Sequence, residues 1–293
     1  MIVVVCGPTA SSKSKIAQEL SKLLDAVIIN GDAFQVYEEL LIGVNKPNSQ
    51  IIKTYNYKLI DFLPLESSFS IADFQELGRQ VIESKLEQKR NIVIEGGSGL
   101  YLKSLLFDYD FSKKPTQQKN YEEFTNDELY SILSKIDPES LKTIHLNNRK
   151  RLIRALQIHD ETGCSKTEMN SKQNHAEIYP DIVYVALNVP REELYDKINK
   201  RVDVMWSKGL KEEVQNLIKT YPENLQSLQA IGYKEVIVGM KSGETDEQIK
   251  ENIRKNTRNY AKRQITYFKH QLPVKYFDTI NDIVNFVREF KDG

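Results

Sequence analysis

The sequence is short of several things, and each shortage narrows the field. It has two cysteines in 293 residues, Cys6 and Cys164, too few for a disulfide framework or a zinc cluster. Neither charge sign is in excess, because 41 Lys and Arg balance 41 Asp and Glu. That argues against a uniformly basic nucleic-acid coat protein but leaves room for a local basic face. No stretch approaches the roughly 18 consecutive apolar residues of a membrane span, so no membrane partner is expected. The chain starts directly on a strand-like run, so no secretory leader is expected and the expected location is the cytoplasm. No internal repeat or low-complexity tract stands out. At this length the chain can still bury a full core, as one large domain or two smaller ones.

What is present begins at the amino end. Ile2-Val3-Val4-Val5-Cys6 is a short apolar run and reads as a buried strand, with Cys6 in its core. Gly7-Pro8-Thr9-Ala10-Ser11-Ser12-Lys13-Ser14 follows at once. From Lys15 to Leu24, apolar residues at 16, 17, 20, 23 and 24 fall on one helix face. Strand, loop and helix in that order are the setting of a phosphate-binding loop. The loop amides and the helix N-terminus attract an anion. Lys13 adds a full charge, and the Ser14 hydroxyl is placed to bind Mg²⁺. Ser12 stands where the usual pattern has its second glycine, and a φ above zero there would strain a serine. The alternative is an ordinary strand-to-helix turn with a chance lysine.

Further strands are expected at 26–29, 57–62, 91–95, 182–189 and 274–277, alternating at first with helices. That alternation predicts a doubly wound parallel sheet. Residues just past a strand face the ligand crevice of such a sheet, which points Asp32 toward the phosphate loop; capping a following helix is the competing role. Gly96-Gly97-Ser98-Gly99 also follows a strand, and glycines there let a backbone approach something closely. The alternation breaks near Asp108, and 111–180 reads as a mostly helical insertion, a device that elsewhere closes over substrates. Within it, Leu152, Ile153, Leu156 and His159 suit a core, leaving Lys150, Arg151 and Arg154 on a flank. Residues 191–217 read as a helix or helix pair. A long helix is expected from Asp246 to about Gln271, with Arg254, Arg258 and Lys262 at four-residue intervals. No acid falls within 252–271, so the stripe reads as a polyanion footprint, with Asn259, Tyr260, Gln264, Tyr267 and Phe268 able to stack or hydrogen-bond. Acids elsewhere in the fold could equally balance it.

Taken in order, these segments resemble the tRNA dimethylallyltransferases, also called tRNA isopentenyltransferases, of the bacterial type. The resemblance runs over nearly the whole chain. It is carried by Gly7 to Ser11, Asp32 to Tyr37, Ile42-Gly43 with Lys46-Pro47, Phe69 to Phe74 and Gly96 to Tyr101. It continues with Ile144-His145, Asn147, Arg151, Arg154-Ala155-Leu156, Thr162-Gly163, Ala230 to Glu235 and Tyr260 to Gln264. The resemblance implies a P-loop NTPase-like parallel sheet at 1–110 and 181–293, with the helical insertion at 111–180 gripping tRNA. It implies transfer of a dimethylallyl group from dimethylallyl diphosphate to N6 of adenosine 37, beside the anticodon of tRNAs reading codons that begin with U. Mg²⁺ assists, and a monomer is expected.

The phosphate loop, Gly7 to Ser14, is thereby implied to grip a prenyl diphosphate and not ATP, with Lys197 and Arg201 reaching the same group. Asp32 is implied to accept the N6 proton, with Thr9 and Lys13 sharing the catalysis. Contacts to tRNA fall to Asp32, Ala33, Phe34 and Gln35, the last holding the adenine edge, to Ser98, and to Lys150, Arg151, Leu152, Ile153 and Arg154. The stripe of Arg254, Arg258 and Lys262 joins them. The chain departs from the family pattern at Ser12, at Ala33 and Phe34 (usually serine and methionine), at Lys197 (usually arginine) and in a shortened segment after Phe111. The zinc finger of the eukaryotic relatives is missing. Three other readings compete. A small-molecule P-loop kinase would use ATP. A tRNA-binding homologue with impaired catalysis would bind without product. An adenylate isopentenyltransferase would modify free AMP and have no use for the basic helices.

Overall fold

In the computed structural model of the chain, which describes residues 1–109, 111, 120–172 and 176–292, the run Ile2–Cys6 forms strand β1. No residue of it is more than 1% exposed. Helix α1 (Lys13–Leu24), strand β2 (Val27–Asn30), helix α2 (Ser49–Thr54) and strand β3 (Tyr57–Lys58) follow. Then come α3 (Ile71–Glu87), β4 (Ile92–Gly96) and α4 (Gly99–Leu106). A strand buried on both faces must be apolar throughout, and β1, β2, β4 and β5 (Ile182–Leu187) nearly are. With β3 and β6 (Lys275–Phe277) they make, among the described residues, one sheet of six strands, all parallel, in the order β3-β2-β4-β1-β5-β6. That order sets the carboxyl ends of β2, β4 and β1 side by side, so the loops after them share one crevice.

The chain divides into two compact units, 1–106 with 179–293 and 107–178. In the first, α1 lays Ile16, Ala17, Leu20 and Leu24 on the sheet, as their spacing predicts. Ile283 and Val287 of the last helix (Ile280–Asp292) join the same core. The α3 start carries a full capping box: Ser70 Oγ accepts the Asp73 N–H, and the Asp73 carboxylate accepts the Ser70 N–H at 2.8 Å. The second unit holds α5 (Asn126–Ile136), α6 (Arg149–Thr162) and α7 (Lys166–Lys172). Its own core is Leu129, Leu133, Ile144, Leu152, Ala155 and Leu156 with Tyr121.

One expectation changes, and one open alternative resolves. The strand expected at 57–62 ends at Lys58, because Leu59 and Asp61 turn left-handed (φ 56° each) and carry the chain out of the sheet. Lys46 holds that bend through an ion pair to Asp61 at 2.6 Å. The region 191–217 is two helices, α8 (Arg191–Ser207) and α9 (Leu210–Thr220), broken at Gly209 with φ 94°. After α10 (Tyr233–Lys241), the long helix α11 spans Asp246–Gln271. The shortened segment expected after Phe111 falls on 112–119, outside the described residues.

Candidate active site

The loop between β1 and α1 alternates its hand. Ala10 (φ 64°) and Ser12 (φ 65°) are left-handed, and Ser11 between them is not. Alternation of this kind aims successive N–H groups into one concavity that suits an anion. The strain expected at Ser12 is present: it is the N-cap of α1, and its side chain makes no capping bond that would compensate. Gly7 (φ 141°) is required for room as well as conformation, since a Cβ there would meet Ser11 Oγ at 2.8 Å. The Ser11 hydroxyl is turned inward and donates to the Pro8 carbonyl at 2.8 Å. Lys13 Nζ donates to the same carbonyl at 2.7 Å. Burial brings the Lys13 pKa down to about 8; Glu95 and Asp32 oppose the fall, and Arg201 adds to it.

The neighbouring strand ends supply carboxylates. After β2, Asp32 Oδ1 accepts the N–H groups of Phe34 (2.9 Å) and Gln35 (3.2 Å). Asp32 therefore caps a turn and faces the crevice too; the two roles expected for it coexist, although no helix follows directly. At the end of β4, Glu95 is 6% exposed and accepts from Tyr57 Oη at 2.6 Å. The Ser14 hydroxyl is also within hydrogen-bonding reach of it. Burial raises the Glu95 pKa, while the Tyr57 and Ser14 bonds and Lys13 pull it back. Sequence reasoning missed Glu95, though a lone acid closing an apolar strand was a visible signal.

These groups open on two adjoining hollows. The smaller, about 90 Å³, is polar and takes in Lys13, Ser14, Asn30, Gln35 and Glu95. The larger, about 290 Å³, is walled by Ile198, Val202 and Met205 of α8 and by Ile253 and Tyr260 of α11, with Phe34 and Ser98 at its rim. The α8 positions 198, 202 and 205 share one face by helical spacing. Thr9, Asp32, Val44, Arg201 and Tyr260 border both hollows. Burial lowers the Arg201 pKa and Asp32 counteracts it. The loop that carries Val44 is held by Glu213 of α9, whose carboxylate accepts the Ile42 N–H at 2.9 Å and the Tyr233 hydroxyl.

Several expected site residues are placed differently. Lys197 borders neither hollow; it pairs with Glu193 one turn back at 2.6 Å and lies in an open cleft with Lys200, Arg201 and Lys208. Ala33 is half-buried and lines neither hollow. Gln35 spends its amide on the Val44 carbonyl at 3.0 Å. The stripe on α11 is partly neutralised, because Arg254 pairs with Asp203 and Glu247 (2.5 and 2.7 Å) and Arg258 with Glu251 (2.8 Å). Glu247 and Glu251 lie just before 252–271 and Asp203 lies on α8, so an acid count over that window includes none of them. Lys262 and Arg263 are exposed, and no ion pair is found for them among the described residues. On α6, Leu152 is fully buried and Ile153 packs on the same core, so Leu152 is closed to any ligand. Arg154 pairs with Glu161 at 2.9 Å, and Lys150 and Arg151 are exposed.

A family model described as IPP transferase matches residues 35–271. The tRNA dimethylallyltransferase of Anoxybacillus flavithermus is 40% identical over 286 residues, covering 97% of this chain and 92% of that one. The crystal structure of tRNA delta(2)-isopentenylpyrophosphate transferase from Staphylococcus epidermidis is similar at a TM-score of 0.74 and 35% identity, covering 99% of this chain and 98% of that one. A eukaryotic dimethylallyltransferase acting on tRNA is similar at a TM-score of 0.86, covering 99% of this chain and 79% of that one; at 22% identity that likeness speaks to the fold alone.

Proposed function

The chain belongs to the IPP transferase family, and we propose that it transfers a dimethylallyl group from dimethylallyl diphosphate to N6 of adenosine 37 in tRNAs reading codons that begin with U. One observation carries this reading: a polar hollow and an apolar hollow adjoin, with Thr9, Asp32 and Arg201 at their junction. The polar side, with Lys13 and the loop amides, suits the diphosphate. The apolar side suits a five-carbon tail and keeps out water that would capture an allylic cation. As N6 bonds to the allylic carbon, the C–O bond breaks and its electron pair leaves on the diphosphate. Lys13, Arg201 and the loop amides stabilise that charge. N6 then carries a surplus proton, which the Asp32 carboxylate takes.

Mg²⁺ fits the small hollow. Asp32 and Glu95 would oppose a diphosphate seated beside them, and a divalent cation relieves that opposition. Among the described residues no three His, Cys, Asp or Glu side chains gather to hold a metal. Mg²⁺ commonly relies on one or two protein oxygens, phosphate oxygens and water, and Ser14 with the nearby carboxylates would hold it. The ion would supply charge neutralisation on the leaving diphosphate.

The target base must leave its stack, at a cost of a few kcal/mol. Contacts from Lys150, Arg151, Lys262 and Arg263 to tRNA phosphates would offset that cost in a salt-dependent way. The assay that tests the reading supplies labelled dimethylallyl diphosphate and Mg²⁺ with either an anticodon stem-loop or AMP. Label is expected in the RNA alone. Label in AMP, or phosphoryl transfer from ATP with the prenyl donor untouched, would overturn it.

A further inference from the structure

Gln264 sits on α11, the helix with the long run of cations, yet it is 5% exposed. Its Oε1 accepts the Thr9 N–H at 2.9 Å, and its Nε2 donates to the Gly97 carbonyl at 2.9 Å. One carboxamide therefore joins the phosphate loop after β1 to the glycine loop after β4. Its orientation is set, because a flipped amide would put donor against donor and acceptor against acceptor. There is no slack: a Cβ on Gly97 would lie 2.2 Å from Gln264 Nε2, and one on Gly99 would lie 2.1 Å from the Tyr267 ring. These two glycines admit α11. One turn before Gln264, Tyr260 Oη lies 3.3 Å from Ser98 Oγ and repeats the tie to the same loop.

Resting on the function proposed above, we infer that Gln264 is a positioning residue for prenyl transfer. By engaging the Thr9 N–H it fixes the main chain at the start of the anion concavity and keeps the Thr9 side chain at the junction of the two hollows. Gln264 itself borders the small polar hollow, but both ends of its carboxamide are spent on the two loops, so it acts through Thr9. Losing its carboxamide strands a part-buried donor on Thr9 and a buried acceptor on Gly97, and the loop relaxes to satisfy them.

Two variants test this. Gln264→Met keeps length and volume and removes both hydrogen bonds. Gly97→Ala keeps the carboxamide and drives it off its seat. With inorganic diphosphate and Mg²⁺ as the calorimetric probe, each raises the dissociation constant about tenfold, the value of one lost net hydrogen bond to a charged site. The combined variant is no worse than the worse single one, because both remove the same link. The kcat for prenyl transfer falls in parallel, while affinity for an anticodon stem-loop stays within about twofold. A diphosphate affinity unchanged in both variants overturns the inference. So does a parallel loss of diphosphate affinity, RNA affinity and melting temperature, which would mark a merely structural role. If the wild-type protein binds diphosphate, Gln264→Met loosens it and no prenyl is ever transferred, the functional reading fails and the clamp stands.

Discussion

The small polar hollow is walled by loops at the carboxyl ends of β1, β2 and β4, whereas the larger apolar one adds faces of α8 and α11 and the segment 229–231 to those loops. The loops set charges at fixed points: an ammonium on Lys13, carboxylates on Asp32 and Glu95. The helix faces offer shape and dryness from Ile198, Val202, Met205 and Ile253. Chemistry that separates an anion from an allylic cation needs both, and Asp32 and Thr9 stand where they meet. The two walls should therefore fail differently. A change on the polar side should reach the chemical step, and one on the apolar side should reach tail binding first.

The largest effect is expected at Asp32. Asparagine keeps an oxygen to accept the Phe34 and Gln35 N–H groups, so the turn survives while the proposed proton acceptor is lost. Asp32→Asn should lower kcat by about 10²–10⁴-fold, the usual contribution of a general base. RNA affinity, read by filter binding, should change little; near-normal turnover would remove Asp32 from its role. Next comes Lys13. Its pKa of about 8 means that the ammonium is lost as pH rises through that value. A bound diphosphate favours the charged form, so donor affinity should be flat below about pH 8 and then fall by up to roughly tenfold per pH unit. Lys13→Met should lower kcat by about 10²–10³-fold, the scale of removing one stabiliser of developing charge, and should flatten the pH profile of donor KM. An unchanged profile in the variant would assign the titration to another group.

The two walls were also unequally legible in the sequence. The polar wall comes from contiguous residues at strand ends, where Gly7 to Ser14 and Asn30 to Gln35 can be read directly. The apolar wall joins Phe34, Val44, Ile198 and Ile253, more than 200 positions apart at the extremes. Residues 191–217 and 246–271 read as helices, but nothing in that reading says that a ligand-sized hollow, and not core, lies between them. Arg254 and Arg258 show the converse. Their partners are Asp203 on α8 and Glu247 and Glu251 one or two turns back. Charge counted over one window misses neutralisation from its edge and from a packed neighbour. Lying among cations in the sequence, Gln264 reads as a group able to hydrogen-bond a base. Its inward face became evident only when α11 was seated against Gly97.

A milder test fills the apolar wall. Val202 is 2% exposed and borders the larger hollow, so Val202→Trp puts a ring where the proposed reaction seats the prenyl tail. Donor KM should rise about tenfold, as expected from displacing one or two buried methylenes' worth of contact. The calorimetric affinity for inorganic diphosphate, which has no tail, should hold. Loss of both together would mean that the two hollows are not the separate compartments their linings suggest.

The smallest effect is expected within the polar wall, at Ser12. A left-handed conformation costs an L residue roughly 1–2 kcal/mol, and the Ser12 side chain makes no capping bond that would be lost on its removal. Glycine removes the strain but gains freedom in the unfolded chain, which returns up to about 1 kcal/mol. Ser12→Gly should therefore stabilise the protein by about 0.5–1 kcal/mol, a rise of roughly 1–3 °C in melting temperature for a chain of this size. Turnover should stay within about twofold, because φ at position 12 and the direction of its N–H are unchanged. Ala10, left-handed at φ 64°, gives the matching case: Ala10→Gly should stabilise by a similar amount and leave turnover equally unaffected. If Ser12→Gly instead cost most of the activity, the serine hydroxyl would be a ligand contact, and the loop could not be treated as a cradle made of backbone alone.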